Sequence, residues 1–284
     1  MVAIAARHLK LFFRDRSSVV MSFLSVFVIL GLYILFLGDT MANDMADTPE
    51  KRHLLDSWVM AGILAVTTAT STLGAFGIMV EDKARKLSKD FAAAPVKRHS
   101  IVGGYVLGSC AIGVILSLVT LAIAETYIVL RGGAWLGAAA TVKVLGLILL
   151  SVLASSAMMF LMSSLLRSMS AFSTASTITG TLIGFLTGIY IPIGSLPEGV
   201  QWVIKLFPVS HAGALIRSVM IEQPMAAAFA GAPQSAVESF RLDMGVAYPF
   251  GDAVTTTAVS LAVLVGTAAL FYALSIARMA RAGE

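Results

Sequence analysis

An all-α integral membrane protein is the fold class this sequence predicts, and three observations carry it. Charged residues are only 13% of the 284, whereas 58% are hydrophobic and the mean hydropathy is +0.89. A soluble domain carries about a quarter charged residues, so the missing charge argues against a water-facing surface. Six apolar runs, at 18–38, 57–80, 101–129, 140–165, 170–191 and 253–277, are long enough to be membrane spans. Each matches the roughly 20 residues that a helix needs to cross ~30 Å of hydrocarbon. The third observation is charge asymmetry. Loops on one side of those spans hold 13 basic and 5 acidic residues, and the other side holds 7 basic and 11 acidic. By the positive-inside rule the first side is cytoplasmic, together with both termini. The asymmetry also explains a basic pI without any nucleic acid.

Taken in chain order, "ARHLKLFFRDRSSVVMSFL" sets Leu9, Leu11, Phe12 and Phe13 beside Arg7, Lys10, Arg14 and Arg16. This predicts an interfacial elbow helix over 1–16 that turns at "RDRSS" into the first span. That span is too long for a signal-peptide core and no cleavage site follows, so it is expected to stay uncleaved. The outer loop 39–56 is short and acidic. The third span is long and carries Glu125 near one end, and Lys143 near the start of the fourth can reach the interface. Arg131–Gly137 predicts a tight outer turn, and Leu166–Ser170 predicts a hairpin of spans four and five. The lone Cys110 lies in an apolar run and reads as a packing residue.

Two stretches break the apolar pattern. From Gly77 to Gly104 nine charged residues sit between two spans, and "EDKARKLSKDF", Glu81–Phe91, predicts a short polar helix ended by Pro95, with Ser100 as cap of the third span. Either it fixes topology as a charged anchor, or it is a docking surface for a soluble partner. The outer segment 192–252 is divided by Pro192, Pro197, Pro208 and Pro224. "EGVQWVIKLF" and "SHAGALIRSVM" predict two short helices, with Pro197 in the first turn of one and Ser210 capping the other. Neither can cross a membrane, so a re-entrant helical hairpin in the outer leaflet is expected before span six.

The order of these parts resembles the permease subunit of type-2 ABC (ATP-binding-cassette) exporters. The "RD-R" corner, the phrase Ala94, Pro95, Val96, Lys97, Arg98, and the outer signature Gly188, Pro192, Leu196, Pro197, Pro208, Ser210, His211, Leu215, Arg217 carry the likeness. The likeness covers nearly the whole chain as one transmembrane domain, 1–284. It departs from the family where "EDKARKLSKD" replaces the usual acidic "E-x-E-x-G-T-L-E" wording. The resemblance implies a coupling region at 81–98, with Glu81, Asp82, Lys83, Arg85, Lys86, Lys89, Asp90 and Phe91 facing a cytoplasmic ABC ATPase subunit. It also implies a second permease, as a copy or a paralogue.

The chain has no G-x-x-x-x-G-K-[ST] loop, so ATP and Mg are expected on the partner, with no cofactor here. His8, His53, His99 and His211 show no zinc-site spacing, and no G-x-S-x-G occurs. Hydroxyls crowd two spans instead: Thr67, Thr68, Thr70, Ser71 and Thr72 in the second, and Ser173, Thr174, Ser176, Thr177, Thr179 and Thr181 in the fifth. Relatives place these spans at the central cavity, which makes Thr67, Thr68, Ser71, Thr174, Thr177 and Thr181 pathway candidates, with Phe76, Phe172 and Phe185 for apolar contact. Helix packing is the simpler role for many of them, and Gly180, Gly184 and Gly188 form GxxxG steps suited to it. The expected function is outward movement of an amphipathic or lipophilic compound, such as a drug-like molecule or an antimicrobial peptide. A lipid-linked glycan as cargo and an ATPase-docking sensor or scaffold are the alternatives. The bilayer expected is a bacterial plasma membrane.

Overall fold

The structure is a computed structural model and describes residues 1–37, 48–87, 98–251 and 253–281. Inside a bilayer each backbone N–H and C=O must be satisfied within its own segment, which makes the long apolar runs helical. Helix α1 (Val2–Arg14) leads into α2 (Arg16–Leu32), which ends in a π turn over Tyr33–Leu37. Then come α3 (Pro49–Ala84), α4 (Arg98–Leu130), α5 (Ala138–Leu165) and α6 (Met169–Leu186). Four short helices follow: α7 (Glu198–Leu206), α8 (Pro208–Met220), α9 (Glu222–Ala228) and α10 (Gln234–Asp243). A small antiparallel hairpin, β1 (Pro249–Phe250) with β2 (Ala253–Val254), precedes α11 (Thr257–Arg281). Among the described residues six helices are long and apolar enough to cross a membrane.

α3 is the axis of the bundle. It packs against α4, α5, α6, α8 and α9, and 78% of its apolar window is buried, against 18% for α2, 17% for α6 and 22% for α11. Its apolar side chains run all round the helix, as a buried helix requires. The helix begins earlier than the sequence predicts. Thr48 accepts from the Lys51 N–H at 3.4 Å and Pro49 takes the first turn, so 49–56, expected as loop, is helix. The rest of that loop, 39–47, lies outside the described residues.

The other end of α3 also departs from expectation. No separate helix starts at Glu81; α3 itself continues through Ala84 and then stops. The Leu87 N–H donates to the Asp82 carbonyl at 3.0 Å and the Lys86 N–H to the Lys83 carbonyl at 3.1 Å, around Lys86 at φ 62°. This is a Schellman stop with lysine where glycine is usual. Arg85–Leu87 is therefore turn, and 88–97 lies outside the described residues. Ser100 is not a cap, because α4 already includes Arg98.

α6 packs chiefly on α3 rather than pairing with α5 as a hairpin. In the segment 192–252 the two short helices expected from the sequence form, and the start of the second differs. α7 and α8 meet at 85°, nearly a right angle, and Phe207 rather than Ser210 precedes α8, with Pro208 in its first turn. The Ser210 hydroxyl instead donates to the Leu186 carbonyl at 2.7 Å, tying α8 to the end of α6.

Candidate functional site

A groove runs along the outside of α3, between α2 and α6. Its cavity of about 710 Å³ is lined by Ser18, Met21, Ser22, Leu24 and Val28 from the α2 side, by Val66, Thr70, Leu73 and Gly74 of α3, and by Ser176, Thr177, Gly180 and Thr181 of α6. Phe12, Ile29 and Tyr190 complete its lining, and none of the lining side chains is charged. The positions are set by helical period: 66, 70, 73 and 74 share one face of α3, and 177 and 181 share one face of α6. Many of these hydroxyls bond their own helix, Thr70 to the Val66 carbonyl at 3.0 Å, Thr181 to Thr177 at 2.9 Å and Ser22 to Ser18 at 2.7 Å. They therefore present a neutral, weakly polar lining rather than free donors.

A second cavity of about 440 Å³ adjoins it, sharing Phe12, Ser18 and Gly74 and reaching Glu81, Asp82, Arg85, Met169 and Phe172. Here α1 docks on the bundle. Its buried residues Ala5, His8 and Phe12 lie on one face. Arg7 grips Asp82 with two nitrogens, at 2.7 and 3.1 Å, and the Tyr105 hydroxyl of α4 donates to the same carboxylate. The His8 Nε2–H donates to the Ala75 carbonyl at 2.8 Å, since a carbonyl can only accept. Desolvation holds the ring below the ordinary histidine pKa. α4 meets this face with glycines: a Cβ on Gly104 would lie 2.6 Å from Ile4 Cβ, and one on Gly108 would lie 2.6 Å from His8 Nδ1. At Asp15 the chain is extended, and its carboxylate caps α2 by accepting from the Ser17 N–H at 3.0 Å and the Ser18 hydroxyl at 2.6 Å. Those bonds favour the anion and lower the Asp15 pKa.

Residues 1–221 match the family model of the ABC-2 type transporter. The chain belongs to that family. It is a multi-pass membrane component of a transporter whose family works with an ABC ATPase. A search of curated proteins found no match.

In this family member the expected coupling residues divide. Glu81, Lys83 and the turn residues Arg85 and Lys86 stand at the end of α3, with Glu81 and Arg85 paired to each other at 2.6 Å. Asp82 does not face outward; it is buried beneath Arg7 and Tyr105. Lys83 reaches back to the Ser164 carbonyl of α5 at 3.4 Å. Arg85 and Lys86 are the exposed cations of the turn. Lys89, Asp90 and Phe91 lie outside the described residues.

The pathway candidates divide in the same way. Thr67, Thr68 and Ser71 are buried in the bundle, bonded to the carbonyls of Ile63, Ala65 and Thr67 at 2.8, 2.7 and 2.6 Å. Phe76 is buried against Phe160 with ring centroids 5.7 Å apart. Phe172 packs beside Gly77, whose added Cβ would lie 3.1 Å from its ring, and lines the second cavity. Thr174, Thr177, Thr181 and Phe185 are exposed along α6; of these Thr177 and Thr181 line the groove, and Phe185 meets Tyr190 edge-on at 5.2 Å. Gly180 opens to the groove with nothing of this chain near its missing Cβ, and Gly188 is a turn glycine at φ +65°, so neither packs a helix within this chain. The lining residues of α2, Ser18, Met21, Ser22, Leu24 and Val28, carry no motif that would have singled them out.

Proposed function

We propose that the chain is the permease half-unit of an ATP-driven exporter that moves a neutral amphipathic or lipophilic compound, of drug or antimicrobial-peptide type, out of the cell. The observation that carries this reading is the uncharged groove between α2, α3 and α6, whose mixed methyl and hydroxyl lining suits an apolar molecule with a few polar groups. A second copy of the chain facing α2 and α6 would convert the open groove into an enclosed path. α1 and the Glu81–Leu87 turn form the cytoplasmic end, as the surplus of basic residues on that side supports. The separate ATPase supplies nucleotide and magnesium there, and the exposed Arg85 and Lys86 are its proposed docking charges.

The test uses two sets of variants in cells that express the ATPase and the permease together. Thr177→Phe with Thr181→Phe fills the groove and is expected to abolish efflux of lipophilic cargo while the ATPase still co-purifies. Arg85→Glu with Lys86→Glu is expected to reduce ATPase capture and leave the permease folded. Efflux that survives the filled groove removes the pathway assignment, and capture that survives charge reversal makes the turn a mere topology anchor.

A further inference from the structure

At the end of the bundle opposite α1, a cavity of about 530 Å³ opens beside the turn that joins α4 to α5. It shares no lining residue with the transport groove. Glu125 of α4 lines this cavity and is only 7% exposed. Its Oε2 accepts from the Leu136 N–H at 2.8 Å, which ties the turn to α4, while its Oε1 has no partner among the described residues. No ion pair among those residues involves Glu125. Residues 38–47, which precede α3 in the chain, include three aspartates and no basic residue, so they bring no cation. A buried carboxylate oxygen without a donor is costly, and a charged donor from outside the chain removes that cost.

The rest of the lining offers groups of both signs. Glu222, in the first turn of α9, adds a second carboxylate, and the Trp135 ring, 62% exposed, offers a face on which an ammonium settles. Lys143 of α5 is the opposing charge. The start of α5 acts with it: Gly137 precedes the helix without a side-chain cap, so the N–H groups of Ala138, Ala139 and Ala140, residues that also line the cavity, have no intrahelical acceptor. A lysine at a helix N-terminus suits a phosphate. Ile128, Met220 and Pro224 supply apolar surface for a short carbon linker, and Gln223 and the His53 ring add further polar edges.

We propose that this cavity binds a small zwitterion of phosphoethanolamine type, its primary ammonium on Glu125 and its phosphate on Lys143 and the first turn of α5. A free solute and the headgroup of a membrane lipid both carry this chemistry. Trp135 stands at the end of the spans, the level at which indole rings meet lipid headgroups.

The experiment is calorimetric titration of the full chain in maltoside micelles with phosphoethanolamine, at constant ionic strength. Saturable binding is expected, with ethanolamine and inorganic phosphate each at least about tenfold weaker, since each lacks one charged partner. E125Q, which keeps an acceptor for the Leu136 N–H, is expected to weaken binding by about tenfold or more, and Lys143→Gln by about threefold. Repeating the titration in bilayer discs separates the two sources. Binding seen in phosphatidylcholine discs and lost in discs containing phosphatidylethanolamine assigns the site to the lipid headgroup; equal binding in both assigns it to a free solute. Absence of saturable binding in both micelles and phosphatidylcholine discs overturns the proposal. Affinity undiminished in E125Q overturns it too, as does ethanolamine or phosphate alone binding as tightly as the zwitterion. Should E125Q fail to fold, Lys143→Gln and Trp135→Ala, both at exposed positions, decide with the wild-type comparison: unchanged affinity in both overturns the site.

Discussion

Two arginines meet the long helix α3 at its opposite ends, and the protein handles them in opposite ways. Arg7 comes from α1, keeps its side chain 35% exposed, and lays two nitrogens on the Asp82 carboxylate, which Tyr105 also reaches. Arg217 comes from α8, is shut away from solvent, and lies over the face of Trp58 with no hydrogen-bond acceptor among the described residues. The first arrangement is a rim contact: charge meets charge, water shares in the solvation, and the pairing fixes where α1 lies against α3 and α4. The second is an interior charge with no carboxylate paired to it among the described residues. What differs is the cost of removal. Losing Arg7 strands a buried carboxylate, whereas losing the charge of Arg217 strands no partner among the described residues.

That contrast can be tested, from the largest effect to the smallest. Trp58→Ala removes the surface that covers Arg217 and the Nε1–H bond to the Met244 carbonyl at 2.8 Å, and is expected to cost about 4 kcal/mol in a reversible unfolding assay. At the other end, Arg7→Met is expected to cost about 2 kcal/mol, between the values for exposed and buried pairs, because Asp82 stays buried. Asp82→Asn keeps an acceptor for Arg7 and leaves that arginine free to turn to water, so less than about 1 kcal/mol is expected. Equal losses for the two variants would show that Asp82 is better hydrated than its burial indicates.

The His8 contact adds a pH response to the α1 end. Its folded pKa lies below the ordinary 6.5, chiefly from desolvation, with the Ala75 carbonyl, Tyr105 and Asp82 pulling the other way and Arg7 reinforcing the drop. On acidification the unfolded chain takes up the proton first. The stabilisation is therefore complete above about pH 6.5 and is lost as pH falls through the depressed folded value, at no more than about 1.4 kcal/mol per pH unit. Unfolding measured for wild type and His8→Gln between about pH 7.5 and pH 5 should show the steeper loss in wild type. The smallest effect has the reverse sign. Lys86→Gly relieves a left-handed residue at the stop of α3 and should stabilise by up to ~1 kcal/mol without touching either arginine.

Much of the plan was legible in the residues because membranes impose it so strongly. A run of apolar residues without charge has no alternative to a spanning helix, so six spans and their order follow from hydropathy. The motif Gly188, Pro192, Leu196, Pro197, Pro208 and Arg217 led to the family in the same way, through local backbone chemistry. What the sequence alone did not assign was which face of a span is which. In a soluble helix polar residues mark the exposed side, but in α3 the hydroxyls of Thr67, Thr68 and Ser71 bond to their own carbonyls and are as acceptable inside the bundle as Thr70 is in the groove. Hydropathy likewise could not separate Ser18 and Ser22 from their neighbours on α2.

Charged residues near the spans carried the same ambiguity. "EDKARK" reads as a solvated helix, yet one of its members, Asp82, is drawn into the bundle because Arg7 and Tyr105, 75 and 23 residues away in sequence, meet there. The glycines of α4 that admit α1, Gly104 and Gly108, look like any small residues in a span until Ile4 and His8 are set against them. By itself, then, the sequence determined the number, order and apolar character of the helices and the family they form, since these depend on local composition and the hydrocarbon thickness. Only the tertiary structure decided that Asp82 is a buried anchor, that the groove takes Thr70 rather than Thr67, and that Arg217 is buried over Trp58. Each of these depends on side chains brought together from distant parts of the chain, and no local pattern encodes such a meeting.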